Sequence, residues 1–141
     1  MASSPESLYD PIVMRHARAP TRRGVLVAPT HRADGRNRPC GDTVALTVTV
    51  DSAGVVTAVR FEAEGCALCL AAVSALCDVV EGRSVAATRE LVARFVKMVD
   101  DGAVADGIGD LAALAPVSAF PARRGCATLA SDVLLRALEG C

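Results

Sequence analysis

Thr43-Val44-Ala45-Leu46-Thr47-Val48-Thr49-Val50-Asp51 is the stretch that decides the fold. Val44, Leu46, Val48 and Val50 recur at every second position, with Thr43, Ala45, Thr47 and Thr49 between them. Successive side chains of a strand point to opposite faces, so this period puts the aliphatic set on one face of a half-buried strand. Asp51-Ser52-Ala53-Gly54 follows as a turn. Residues 55–64 then alternate again, with Val59, Phe61 and Ala63 opposite Arg60, Glu62 and Glu64. The two runs predict an antiparallel hairpin with one apolar face.

Beyond the hairpin the apolar period becomes helical. Gly65 ends the second strand, and residues 66–81 predict a helix with the polar stripe Ser74, Asp78 and Glu81. The rest of its surface is apolar, which marks a central helix, and Gly82 stops it. Residues 88–101 predict an amphipathic helix with Leu91, Val92, Phe95 and Val99 inward and Glu90 and Arg94 spaced for an i,i+4 pair. Residues 102–109 form a loop, residues 111–114 a helical turn, and residues 126–138 a last helix. On the N-terminal side, Ser7 or Asp10 opens a helix carrying Leu8, Ile12 and Val13, which Pro20 closes. Residues 25–28 are a short candidate strand, and residues 31–39 are a polar loop. The class is α+β, a small antiparallel sheet of about three strands with helices packed on one face. One domain spanning residues 1–141 is expected.

Aromatic residues make up only 3% of the chain, so its core rests on Val, Leu and Ala. A net charge of -1 gives no general attraction to nucleic acid or to an anionic membrane. Arginines cluster at residues 15–23, 32–38 and 123–124 without interleaved aromatics for base stacking, and are expected in solvated loops. The opening Met1-Ala2-Ser3-Ser4-Pro5-Glu6 lacks the basic region and apolar run of a secretory signal. No uninterrupted apolar stretch reaches the roughly 18 residues of a membrane span. A cytoplasmic protein is expected, with neither nucleic acid nor membrane as partner and with monomer and homodimer both open. Its six cysteines then point to metal or thiol chemistry rather than to disulfides.

Three cysteines stand at junctions between elements. Cys40 lies in Pro39-Cys40-Gly41-Asp42 before a strand, Cys66 follows Gly65 where a strand passes into a helix, and Cys126 follows Gly125 at the start of the last helix. A helix N-terminus lowers a thiol's pKa and favours the thiolate, the form that binds metal and attacks sulfur. Gly41, Gly65 and Gly125 remove bulk beside each thiol. Asp42 stands two residues after Cys40, and on an extended segment both would point to one side. Three thiolates and a carboxylate suit a tetrahedral zinc or a small iron–sulfur cluster. Arg123 and Arg124 are candidate counter-charges. The competing view is that these cysteines are small buried hydrophobes, since their spacing matches no compact zinc finger.

Several segments resemble the scaffold family of iron–sulfur assembly proteins, the NifU N-terminal, IscU and SufU group. Leu8-Tyr9 with Ile12, Met14 and His16 is similar to the family's opening, and Arg36-Asn37-Arg38-Pro39-Cys40-Gly41-Asp42 to its first cysteine segment. Gly65-Cys66-Ala67-Leu68 resembles the second, and Phe120-Pro121-Ala122-Arg123-Arg124-Gly125-Cys126-Ala127-Thr128-Leu129-Ala130 the third. The SufU branch is the nearer. Gly125 stands where the IscU branch has His, residues 102–109 fall where SufU carries an insertion, and Arg123 and Cys126 repeat its Arg-x-x-Cys.

The resemblance implies zinc held by Cys40, Asp42, Cys66 and Cys126, with Arg123, Gly41 and Gly65 around it. It implies persulfide sulfur accepted at Cys40 from a SufS-type cysteine desulfurase, and downstream cluster-assembly proteins as further partners. The alternative is an IscU-like scaffold for a [2Fe-2S] cluster on the same ligands. Two further readings remain, a purely structural zinc site and a redox protein using Cys66-Ala67-Leu68-Cys69 as C-x-x-C. By its place on the helical wheel, Cys69 is expected in the core with Val73, Leu76 and Val80, as a reduced thiol. His16 and His31 are expected to pack or face solvent rather than ligate.

Overall fold

In the computed structural model, which describes residues 5–141, the opening alternation forms the middle strand of a three-stranded antiparallel sheet. The strands are β1 (His31–Asn37), β2 (Asp42–Val50) and β3 (Val56–Glu64), in that spatial order. Residues 1–4 of the segment weighed above as a signal lie outside the described residues. Four α-helices accompany the sheet: α1 (Pro11–Arg18), α2 (Ala67–Val80), α3 (Val85–Asp101) and α4 (Arg124–Ala137). Helices α2 and α4 pack on the sheet, and the aliphatic face of the hairpin meets them. Val44, Leu46, Val48, Val59 and Phe61 are all at most 1% exposed, so the alternation does define the core face.

Two expectations about the N-terminal half are corrected. Residues 25–28 form no strand: Val25 and Val27 are exposed, and the segment touches the sheet through the Leu26 N–H, which donates to Thr47 Oγ1 at 3.1 Å. The supposed polar loop at residues 31–39 contains β1. Arg32, Asp34 and Arg36 point out while Ala33, Gly35 and Asn37 point in, so the period of two is present but its inward members are small or polar. Helix α4 lies so close over β1 that a Cβ on Gly35 would stand 2.9 Å from Val133 Cγ2 and 2.5 Å from Arg136 Nη2.

The helix ends follow local chemistry. Asp10, not Ser7, caps α1, its carboxylate accepting the Val13 N–H at 2.9 Å. Ser84 caps α3, its hydroxyl accepting from Ala87 N–H at 3.0 Å, so α3 begins at Val85, earlier than the predicted residue 88. Arg94 donates to the Asp106 carbonyl at 3.1 Å, and among the described residues no ion pair joins it to Glu90. A long 3-10 segment, Gly109–Ala119, extends what was expected as a single helical turn.

The polar stripe of α2 faces other elements rather than solvent. Ser74 is buried and its Oγ lies 2.7 Å from His16 Nδ1, while His16 Nε2 lies 2.9 Å from Asp110 Oδ2. His16 thus packs α1 onto α2. Asp78 and Glu81 engage Arg22, and Glu81 also accepts from Arg60 at 2.9 Å, so Arg22 is not the solvated loop residue expected of its cluster.

Candidate metal centre

The β1–β2 hairpin carries the first part of the site. Its register pairs Asn37 with Asp42, and the turn between them is a 3-10 segment, Arg38–Cys40, closed by Gly41. Gly41 adopts φ 70, a left-handed conformation that a side chain would disfavour. Cys40 and Asp42 therefore do not share one side of an extended segment, as the sequence spacing suggested. The turn at Gly41 places them together instead. Cys40 is exposed at the hairpin tip, whereas Asp42, at the first position of β2, is fully buried.

Two helix starts bring the other thiols. Cys66 is the N-cap residue of α2, with extended backbone and a half-buried side chain. Its N–H donates to Asp42 Oδ1 at 3.1 Å. Gly65 makes this contact possible, because a Cβ there would collide with the Asp42 carboxylate. Cys126 lies in the first turn of α4 and is 1% exposed. Its Sγ stands 3.4 Å from Cys40 Sγ. Gly125 beside it leaves room for Asn37, whose Nδ2 would be 2.9 Å from a Cβ at that position.

Cys40, Asp42 and Cys126 each offer a ligand atom within 4.8 Å of the others. Cys66 flanks this group, joined to it by its N–H on Asp42 Oδ1. Of the four sequence-predicted ligands, three form a tight cluster, and Cys66 adjoins it through its backbone contact to Asp42. Arg123 lies against Cys66. Burial pulls its guanidinium down, but the Cys66 thiol, Tyr9 and Cys126 together hold it above its ordinary value. Arg124, the other expected counter-charge, turns away to pair with Asp100 at 3.0 Å.

Asn37 is the site neighbour that sequence reasoning missed. Its Nδ2 donates to Asp42 Oδ2 at 3.4 Å and lies 3.8 Å from Cys126 Sγ. The available signal was its place three residues before Cys40 in the first cysteine segment. Its role depends on β1 being a strand, and that was not recognised.

The remaining cysteines separate by environment. Cys69 is 1% exposed and its thiol is pushed up to about 12, first by burial and then by the Asp42, Cys66 and Cys40 charges. Burial raises Cys77 as well. Cys126 was expected to be a thiolate favoured by its helix start, but burial and the adjoining Asp42, Cys40 and Cys66 raise its pKa instead. Burial, reinforced by the acidic neighbours, outweighs the helix dipole here. A C-x-x-C redox unit of the thioredoxin kind lacks its setting here, because the three strands of the sheet pair antiparallel.

The donor set suits a thiophilic divalent cation. Thiolates with a carboxylate are zinc ligands, and a fully buried aspartate among cysteines is a place where a bound cation would be matched by its ligands' charge. Fold and site therefore define a small α+β protein that gathers cysteines and an aspartate from a hairpin tip and two helix starts. Residues 8–139 match the NifU-like N terminal domain family, and the chain belongs to that family of iron–sulfur cluster assembly proteins. It is 34% identical over 131 residues to the zinc-dependent sulfurtransferase SufU of Bacillus subtilis, covering 92% of this chain and 88% of that one. It is 31% identical over 134 residues to the iron–sulfur cluster assembly scaffold protein IscU of Streptococcus pyogenes, covering 94% and 83%. The crystal structure of a nitrogen-fixing NifU-like protein (N-terminal) from Brucella abortus superposes with a TM-score of 0.86 at 24% identity, over 94% of this chain and 93% of that one, and so shares the fold. Among the described residues no helix is long and apolar enough to cross a membrane.

Proposed function

We propose that this protein is a SufU-like, zinc-bound acceptor of persulfide sulfur from a SufS-type cysteine desulfurase, acting as one domain in the cytoplasm. The observation that carries this function is the convergence of Cys40, Asp42 and Cys126 within 4.8 Å, with Cys40 alone exposed. Cys40, Asp42, Cys66 and Cys126 would hold the zinc, which when bound supplies positive charge that keeps the thiols ionised.

The residues of the chain divide the work. Asp42 is anchored by the Cys66 N–H and by Asn37, and Cys126 is held in the core, so neither is free to leave. Cys40 sits on a surface turn where a partner's persulfide has access. The Cys40 thiolate attacks the outer sulfur of the desulfurase persulfide, and a new S–S bond forms at Cys40. The old S–S bond breaks, and the desulfurase cysteine leaves as thiolate, so charge and electrons balance. Arg123, beside Cys66 and Cys126, is placed to offset negative charge at the centre. Downstream cluster-assembly proteins would then take the sulfur from Cys40.

Metal analysis with a desulfurase assay tests this function. The protein should be colourless with about one zinc per chain and should stimulate a SufS-type enzyme. Cys40→Ala should abolish the stimulation, while Cys126→Ser should lose the metal. Full stimulation by Cys40→Ala would refute the acceptor role. A coloured protein carrying iron and sulfide after anaerobic purification would establish instead the [2Fe-2S] scaffold role, to which the IscU relative points.

A further inference from the structure

A second constellation of reactive groups lies away from the metal centre. His31 opens β1 at the end opposite the Arg38–Cys40 turn. Beyond the end of α4 the chain returns to this point, and Cys141 Sγ stands 3.1 Å from His31 Nε2. Cys141 is exposed and is a free thiol. Its segment is tied back to the helices: Arg89 of α3 donates to the carbonyls of Leu138 and Cys141 at 2.8 and 3.2 Å, and the Cys141 N–H donates to the Leu138 carbonyl at 3.1 Å.

Thr30 holds the His31 ring from the nitrogen that faces away from Cys141. Thr30 Oγ1 donates its single hydrogen to the Val48 carbonyl at 3.2 Å. It accepts the Val50 N–H at 2.8 Å and lies within hydrogen-bond distance of His31 Nδ1, also at 2.8 Å. In the tautomer that carries its proton on Nδ1, Thr30 Oγ1 accepts that proton and Nε2 presents its lone pair to the Cys141 thiol. A nucleophile, a base within hydrogen-bond reach and a third group orienting that base are the parts of an activated thiol. Cys40, the other thiol of comparable exposure, has Asp42 and Cys126 as neighbours and no imidazole.

We propose that Cys141 is a second reactive thiol, a site of thiol–disulfide exchange with low-mass disulfides, with His31 as its base and Thr30 as the residue that holds the imidazole. The proton of the Cys141 thiol passes to His31 Nε2. The thiolate attacks one sulfur of the small disulfide, the S–S bond of that molecule breaks, and a mixed disulfide forms on Cys141. The departing thiolate takes the proton back from His31. Cys141 is oxidised and half of the small disulfide is reduced, so no other redox partner is needed. Because the pair lies far along β1 from Cys40, the modification marks this protein without occupying the sulfur-accepting position.

The test uses the full chain with its metal, glutathione disulfide as the probe, and peptide mass spectrometry to time the adduct at each cysteine. Cys141 should be modified first, and His31→Gln should slow its modification about a hundredfold, at the low end of general-base effects. Thr30→Val keeps the imidazole but removes the partner of Nδ1, and should slow the reaction by a smaller factor. Nitrogen-correlated NMR should show His31 protonated on Nδ1 in the unmodified protein and a mixture of tautomers in Thr30→Val. Circular dichroism and metal content establish that both variants are folded. Equal Cys141 rates in the unmodified protein and in a folded His31→Gln variant, or an adduct at Cys40 ahead of Cys141, would overturn the proposal.

Discussion

Replacing Gly65 with Ala probes the metal centre without removing any ligand. Gly65 has φ +155, a conformation that L side chains rarely adopt. A Cβ there would stand 2.9 Å from Asp42 Cγ and 3.1 Å from Asp42 Cβ, and closer still to Oδ1. The carboxylate cannot step aside freely, because Asp42 is 0% exposed and its Oδ1 accepts the Cys66 N–H at 3.1 Å. Breaking that bond inside the protein costs about 1–3 kcal/mol. The backbone conformation adds about 1 kcal/mol for a residue with a Cβ. The sum is about 2–4 kcal/mol, or a fall in Tm of roughly 6–12 °C for a chain of this size. Gly82 is the internal control: its φ is +95 and nothing lies within 4 Å of its Cβ position, so Gly82→Ala carries the backbone term alone. Urea denaturation of both metal-free variants, followed by zinc titration, separates the two contributions. Gly65→Ala should be less stable than Gly82→Ala by about 1–3 kcal/mol and should bind zinc more weakly. Equal stabilities together with undiminished zinc affinity in Gly65→Ala would refute the fixed placement of Asp42 beside Cys66.

Other perturbations address the surroundings of the centre and the core. Cys69→Ser puts a hydroxyl at a fully buried position and should cost about 1–3 kcal/mol with zinc content intact; zinc loss would make Cys69 part of the ligand set. Phe61, 0% exposed on the core face of β3, should cost about 3–5 kcal/mol as Phe61→Ala in urea denaturation, and a loss within experimental error would place the core elsewhere. Burial pushes the Glu81 carboxyl up, but the hydrogen bonds from Arg22, the Val59 N–H and Arg60 outweigh it and hold the pKa below the ordinary carboxylate value. A depressed folded pKa stabilises fully above the unfolded pKa and is lost as pH falls through the folded one. The stability advantage of the unmodified protein over Glu81→Gln should therefore shrink on acidification, and an advantage independent of pH would contradict the assignment.

The parts of this structure that sequence reveals are those where one residue property carries the instruction. The β2–β3 hairpin is legible because Val44, Leu46, Val48, Val59 and Phe61 recur at every second position and all lie buried on one face. Helix α2 is legible because a nearly all-apolar run cannot remain at a surface. Strand β1 is not, because its inward residues Ala33, Gly35 and Asn37 have no hydrophobic periodicity, and Gly35 and Asn37 ordinarily mark turns. What makes them a strand is a partner distant in sequence. Gly35 has no side chain because Val133 and Arg136 of α4 occupy that space, and Asn37 points inward because Asp42 stands opposite it in the register.

The same blind spot conceals how the metal centre is assembled. Cysteine, glycine and aspartate at three junctions can be read as ligands, but their meeting depends on β1. Its pairing with β2 folds Cys40 back beside Asp42, and the close seat of α4 on Gly35 brings Cys126 to within 3.4 Å of Cys40. A side chain at Gly35 would press on Val133 and Arg136 and thereby on the helix that carries Cys126, although Gly35 touches no ligand. The precision of the site is therefore set by helix–sheet packing along β1, in a segment whose composition resembles a loop.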